Sequence, residues 1–124
     1  MLELSVCKDK NEVFEFCKKA GLENSCNILC LKATEKEKCL GFSLFNIRDN
    51  SITLQYIEPT DDIALADGIL RSTLHVGTER NVSDAFYGKS VDEAFLKKID
   101  FLENSREKRL KLQNLFTDCC NCKK

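Results

Sequence analysis

The stretch "IEPTDDIALADGILRST", Ile57 to Thr73, decides how this chain is read. A β-branched residue and a glutamate run into Pro59, then Thr60 and two aspartates. Apolar residues then recur at helical spacing: Ile63, Ala66, Ile69/Leu70 and Thr73/Leu74. The pattern is the end of a strand, a short turn and the start of a helix. Free backbone N–H groups at such a helix tip can hold the phosphates of a cofactor, and a carboxylate can cap them just as well. Asp61, Asp62 and Asp67 stand here with a single glycine, Gly68. Both readings therefore stay open.

Upstream of the tip, three extended runs are divided by turn-like segments: Asn27–Ala33, Cys39–Ile47 and Ser51–Glu58, with turns at Thr34–Lys38 and Arg48–Asn50. This is an antiparallel meander. Phe42 and Leu44 against Phe45 and Ile47 put apolar groups on both faces of its middle run, so helices should cover both sides. Residues 2–6 alternate as a strand, and Asn11 can cap a helix carrying Val13, Phe16, Cys17 and Ala20 that closes at Gly21.

Downstream, the helix from Ile63 should end near Val76 with Gly77 as its stop, and Val82–Tyr87 should return as a strand. Ser90-Val-Asp-Glu93 reads as a capping box opening a helix whose inner face is Val91, Ala94, Phe95 and the stem of Lys98. Short strands at Phe101–Glu103 and Arg109–Leu112 and a helical turn at Leu115-Phe116 are expected after it. A single helix from Val91 to Phe116 is the alternative. The fold class is α/β, with a sheet between two helical layers.

Composition fits one domain. The chain has 124 residues, 43% of them apolar and 31% charged, with a formal net charge of -1. No apolar run approaches the roughly 20 residues of a bilayer span, so no membrane is expected. Met1–Val6 lacks the basic start of a signal peptide, so the expected location is cytoplasmic. Near-zero net charge argues against nucleic acid, and the short basic runs at Lys97-Lys98 and Arg106–Arg109 read as solvated faces. His75 is the only histidine, so a serine-hydrolase triad is not expected, and no phosphate loop of the G-x-x-x-x-G-K-[ST] type occurs.

Eight cysteines are many for this length. Cys7, Cys17, Cys26, Cys30 and Cys39 lie mostly among apolar neighbours and read as small buried thiols. Cys119, Cys120 and Cys122 set a cysteine-rich tail, 119–124, apart from the domain at 1–118. Cys119 and Cys122 have the C-x-x-C spacing of a zinc or iron site, which would need a further ligand such as Cys7 or Cys39, or a second chain. A redox-active thiol and a plain frayed tail are the competing readings.

Four segments carry a resemblance to a known family: Lys38-Cys-Leu-Gly-Phe-Ser-Leu-Phe45, Gln55-Tyr-Ile-Glu-Pro59, Ile69-Leu70-Arg71 and Ala94–Phe101. In this order and spacing the chain resembles the Gcn5-related N-acetyltransferase (GNAT) superfamily over nearly its whole length. The resemblance implies a mixed, mostly antiparallel sheet of about six or seven strands. Its fourth and fifth strands would splay to admit acetyl-CoA, the pantetheine arm lying along Tyr56, Ile57 and Glu58. The pyrophosphate would lie on the amides around Ala64, Leu65, Ala66 and Asp67, with Ala64 and Ala66 at the family's two glycine positions. Asp61 stands at its Gln/Arg position, Leu96 at that of its catalytic tyrosine and Asp100 at its glycine before phenylalanine.

A carboxylate about 6 Å from a phosphate charge costs about 2–3 kcal/mol at an effective dielectric near 20, so the aspartates favour caps over cofactor. Glu58, Tyr56 and Tyr87 are the candidates for a general base. The function implied is acetyl transfer to an amine that the sequence does not name, in a chain able to form a homodimer through its last strands. The alternatives are a non-catalytic GNAT-like binding or regulatory protein, or a metal or redox protein built on the cysteine tail.

Overall fold

The computed structural model describes residues 2–22 and 27–112. In chain order the elements are β1 (Leu2–Val6), α1 (Lys10–Ala20), β2 (Leu29–Glu35), β3 (Lys38–Arg48), β4 (Ser51–Glu58), α2 (Ile63–Glu79), β5 (Asp84–Tyr87), α3 (Glu93–Lys98), β6 (Leu102–Asn104) and β7 (Arg109–Leu110). The seven strands make one sheet in the order β1-β2-β3-β4-β5-β7-β6. Neighbours are antiparallel except β4 and β5, which run parallel because α2 carries the chain back across the sheet.

The strands β6 and β7 exclude the single helix from Val91 to Phe116. The turn between them is held by Asn104, whose side-chain oxygen accepts the N–H groups of Arg106 and Glu107 at 2.9 and 3.1 Å. Between β2 and β3 only Lys36 and Glu37 turn, both at positive φ (52° and 68°). The strands therefore run further into the expected Thr34–Lys38 turn than its charged composition suggests.

Asp62 caps α2 as expected, while α1 and α3 are capped two residues from the expected place. Asp9 caps α1 by accepting the N–H of Asn11 at 2.9 Å, so Asn11 is already inside the helix. Asp92, not Ser90, caps α3 and accepts the Ala94 N–H at 2.9 Å. Within α3 the inward residues are Phe95 and Leu96, while Ala94 and Lys98 face solvent, which corrects the expected inner face. Gly77 does not stop α2, which runs on to Glu79. Its hydrogen lets the helix lie on β4, since a Cβ there would stand 3.3 Å from Ile52 Cδ1.

Two cores flank the sheet. On the α2 face Phe45, Ile52, Leu54 and Ile57 meet Ile69, Leu70 and Leu74. On the α1 face Cys7, Cys17, Cys30, Phe42 and Leu44 are buried together, with Phe16 and Tyr56 packed against them. At roughly 1.5–3 kcal/mol for each fully buried large side chain, the α2 face carries most of the stability.

Candidate active site

The parallel pair of β4 and β5 is short. Ser51 to Leu54 pair with Asp84 to Tyr87, and a last bond runs from the Gly88 N–H to the Leu54 oxygen at 2.7 Å. Beyond that point Tyr56 to Glu58 pair with β3 alone, while the chain after β5 turns away toward α3. The two strands form a fork. Its open arm is a four-residue strand edge with no strand partner on that side among the described residues.

A bulge in β4 sits at the fork. Leu54 pairs with Phe45 and Tyr56 with the adjacent Leu44, so Gln55 is an extra residue on β4. Because side chains alternate with period two, one inserted residue exchanges the faces that follow it. Ile52, Leu54 and Ile57 therefore point into the α2 core, while Tyr56 packs on the α1 side. Without the bulge Tyr56 would be buried in line with Leu54. With it, the Tyr56 hydroxyl donates to Glu58 Oε1 at 2.8 Å, and Lys19 at the end of α1 approaches Glu58 Oε2 at 3.3 Å. Lys19 also lies over the Phe42 ring, 5.6 Å from its centroid. Burial first, then the hydrogen bond and the charge of Glu58, pushes the Tyr56 phenol up from its ordinary range.

The helix tip facing the fork is capped. Asp62 Oδ1 accepts the Leu65 N–H at 3.2 Å and the Asp62 carbonyl accepts the Ala66 N–H at 2.9 Å. Ala66 is fully buried, Ala64 is exposed, and Asp67 is engaged with Arg71 at 3.0 Å along the helix flank. Of the residues expected to cradle phosphates, Leu65 and Ala66 thus have their amides in use.

No family model and no curated protein matches this chain. Solved structures do. A GNAT-family acetyltransferase from Desulfovibrio desulfuricans, itself assigned only provisionally, superposes with a TM-score of 0.61 at 12% identity over 85% of this chain and 87% of its own. This is the GNAT fold. The ribosomal-protein-S18-alanine N-acetyltransferase of Escherichia coli gives 0.60 at 12% identity, covering 88% of each chain. A predicted acetyltransferase from Clostridium acetobutylicum, solved with acetyl-CoA, gives 0.59 at 15% identity over 92% of this chain and 98% of that one.

In this GNAT-fold chain Tyr87 stands apart from Tyr56 and Glu58. It is the last paired residue of β5, is 2% exposed, and donates to Glu93 Oε2 at 2.6 Å. Burial, then that hydrogen bond and the Glu93 charge, pushes its phenol up to about 12. Both phenols are thus pushed up from their ordinary range, and Glu58 is the one carboxylate among the three candidates. Leu96 is fully buried and apolar, so nothing at that position can deliver a proton. Asp100 takes the left-handed conformation (φ 62°), as a short polar residue can.

Two depressions border the fork. One of about 140 Å³ lies between Thr60 and α3, lined by Asp92, Ala94, Phe95 and Lys98. A polar groove of about 430 Å³ lies on the other side of the bulge, lined in part by Asn46, Thr53 and Gln55. Neither could be foreseen, since both depend on how elements distant in sequence meet. The tail thiols Cys119, Cys120 and Cys122, and the turn at Leu115-Phe116, lie outside the described residues. Among the described residues no group of three or more His, Cys, Asp or Glu is placed to hold a metal ion, and no helix is long and apolar enough to cross a membrane.

Proposed function

We propose that this chain is an N-acetyltransferase that takes acetyl-CoA along the open arm of β4 and acetylates an amine arriving over the α1 face. The observation that carries this reading is the fork: four residues of unpaired strand edge beside a carboxylate already held by a tyrosine. An edge of that length accepts an extended amide-bearing chain by strand addition, so the pantetheine arm fits. The helix tip fits a diphosphate once Asp62 gives up the Leu65 N–H, and losing such a cap costs about 1 kcal/mol.

Acetyl-CoA, when bound, supplies the activated acyl group. Glu58 accepts a proton from the incoming ammonium, and Tyr56 holds its Oε1 in place for that task. Lys19 yields Oε2 at little cost, because an exposed ion pair is worth 1 kcal/mol or less (roughly 0–1). Positioning replaces a dedicated acid, Leu96 having none to offer.

Thermal unfolding with millimolar acetyl-CoA and CoA tests the reading. Ligand at about a hundred times its dissociation constant should add about 2.7 kcal/mol, a rise of several degrees. Glu58→Gln should keep that rise and lower CoA release, measured over a panel of primary amines and peptide N-termini, by about 10²–10⁴. No rise with either ligand refutes it. One observation favours a second reading, a non-catalytic GNAT-like binding protein: Asp62 already occupies the helix tip. We propose as well that the chain dimerises through the outer edge of β6 and that the tail thiols take a metal; sedimentation and the metal content of reduced protein check these.

A further inference from the structure

The buried thiols of Cys7 and Cys30 form a second chemical feature, on the α1 face and independent of the fork. β1 and β2 are in antiparallel register with Val6 opposite Leu31, which puts Cys7 opposite Cys30. The Cys7 N–H bonds the Cys30 carbonyl at 2.8 Å, so the ladder continues through this pair. Opposed residues of such a pair have Cα atoms about 5.5 Å apart, inside the roughly 4.4–6.8 Å range that a disulfide spans. Both side chains face the same small core, at 8% and 0% exposure.

The surroundings favour one of the two as the nucleophile. The neighbouring Cys30 thiol holds the Cys7 thiol below its ordinary range against burial and the charge of Glu12, and Lys32 helps; Cys30 is pushed up by its nearness to Cys7 and by burial. Glu12 and Lys32 form an ion pair at 2.8 Å beside them. Cys7 follows the last residue of β1, at the rim of the sheet, and is the more accessible of the two.

We propose that Cys7 and Cys30 are a reversible dithiol–disulfide pair, oxidised by peroxide and reduced by small thiols. The Cys7 thiolate attacks one peroxide oxygen, breaking the O–O bond and giving a sulfenic acid and hydroxide, which takes up a proton as water. The Cys30 sulfur then attacks the Cys7 sulfur, forming the S–S bond and breaking the S–O bond; the sulfenic hydroxyl takes up the Cys30 proton and leaves as a second water. Two thiols and one hydrogen peroxide thus give one disulfide and two waters. The loop so closed contains all of α1, which carries Lys19 to Glu58. Oxidation therefore ties down the helix that borders the candidate active site.

The full chain should be treated with hydrogen peroxide, alkylated under denaturing, non-reducing conditions, digested and weighed. The expected product is a Cys7–Cys30 linked peptide pair, lighter than the two free peptides by two hydrogen atoms and released by dithiothreitol. Oxidised wild type should melt about 13 °C higher than reduced protein, from a loop of this length and a domain of this size. Cys7→Ser and Cys30→Ser should each abolish both effects. If Cys7 and Cys30 stay fully alkylated while Cys39 or the tail thiols oxidise, or if either links elsewhere, the proposal fails. The wild-type digest decides this even where a variant does not fold, and it does so whether or not acetyl-CoA binds.

Discussion

The two halves of β4 are built from similar residues and do opposite things. Ser51–Leu54 is held on both sides, by β3 and by β5, and sends Ile52 and Leu54 into the main core. Gln55–Glu58 has strand on one side only, with Tyr56 and Glu58 turned to the α1 face. The difference is one inserted residue and a strand that ends. An open edge so close to the centre of a sheet is an aggregation hazard unless something covers it. What keeps the open half straight without a second neighbour is close contact from behind.

Gly41 supplies that contact, and replacing it should have the largest effect. A Cβ at Gly41 would lie 2.6 Å from the Glu58 carbonyl oxygen, 2.7 Å from Pro59 Cδ and 2.9 Å from Ile69 Cδ1. Two of these partners are backbone or ring and cannot rotate away. Gly41→Ala should therefore cost about 3 kcal/mol, read as a lowered denaturant midpoint, and it should loosen the open half first. Hydrogen exchange checks the second point: amides of residues 55–58 should gain more than those of 51–54. Equal gains would mean that the two halves are one cooperative unit.

Substituting the helix tip tests whether the open half is a cofactor site at all. Asp62→Asn keeps a side-chain oxygen for the Leu65 N–H and removes the negative charge. Stability should change by a few tenths of a kcal/mol, while acetyl-CoA affinity, measured by titration calorimetry, should rise about tenfold once solvent screening reduces the bare charge–charge cost. An unchanged affinity would place the diphosphate away from this tip.

Much of the architecture was legible because hydrophobic phase and turn chemistry are local. The bounds of β4, the two-faced packing of Phe42, Leu44, Phe45 and Ile47, and the closure of α1 at Gly21 (φ 75°) all follow from neighbours within a few residues. The bulge leaves a trace in the sequence: Ile52, Leu54 and Ile57 are spaced by two and then three. Read with that slip, Tyr56 and Glu58 would have been assigned together to the α1 face and Tyr87 kept apart from them. Lys19 could not have been joined to Glu58 from sequence, since 38 positions intervene. Nor could Cys7 and Cys30 be paired before the register of β1 was known. Gly77 misled for the opposite reason, its role being set by Ile52 across the core and not by the helix that contains it.

The two tyrosines give the smallest and finest test of the comparison, one closing the paired half and one standing in the open half. Tyr87 is neutral and buried with its hydroxyl on Glu93, and its ionisation is delayed to about 12 from an ordinary 10. A group whose folded pKa lies above its unfolded value adds stability that is complete below the unfolded pKa and disappears as pH climbs through the folded one. Wild-type stability should therefore fall between about pH 10 and 12. Tyr87→Phe should be about 1 kcal/mol less stable at neutral pH, having lost the hydrogen bond to Glu93, and should lose less of what remains across that alkaline window. Tyr56 is also raised but is only half-buried, and its partner Glu58 reaches solvent. Tyr56→Phe should therefore move the alkaline limb less. Denaturant melts of the two variants at stepped pH measure the contrast, with tyrosinate absorbance reporting which ring ionises late. If the two limbs moved equally, the open half would be as closed to water as the paired half, and the fork would not admit a ligand.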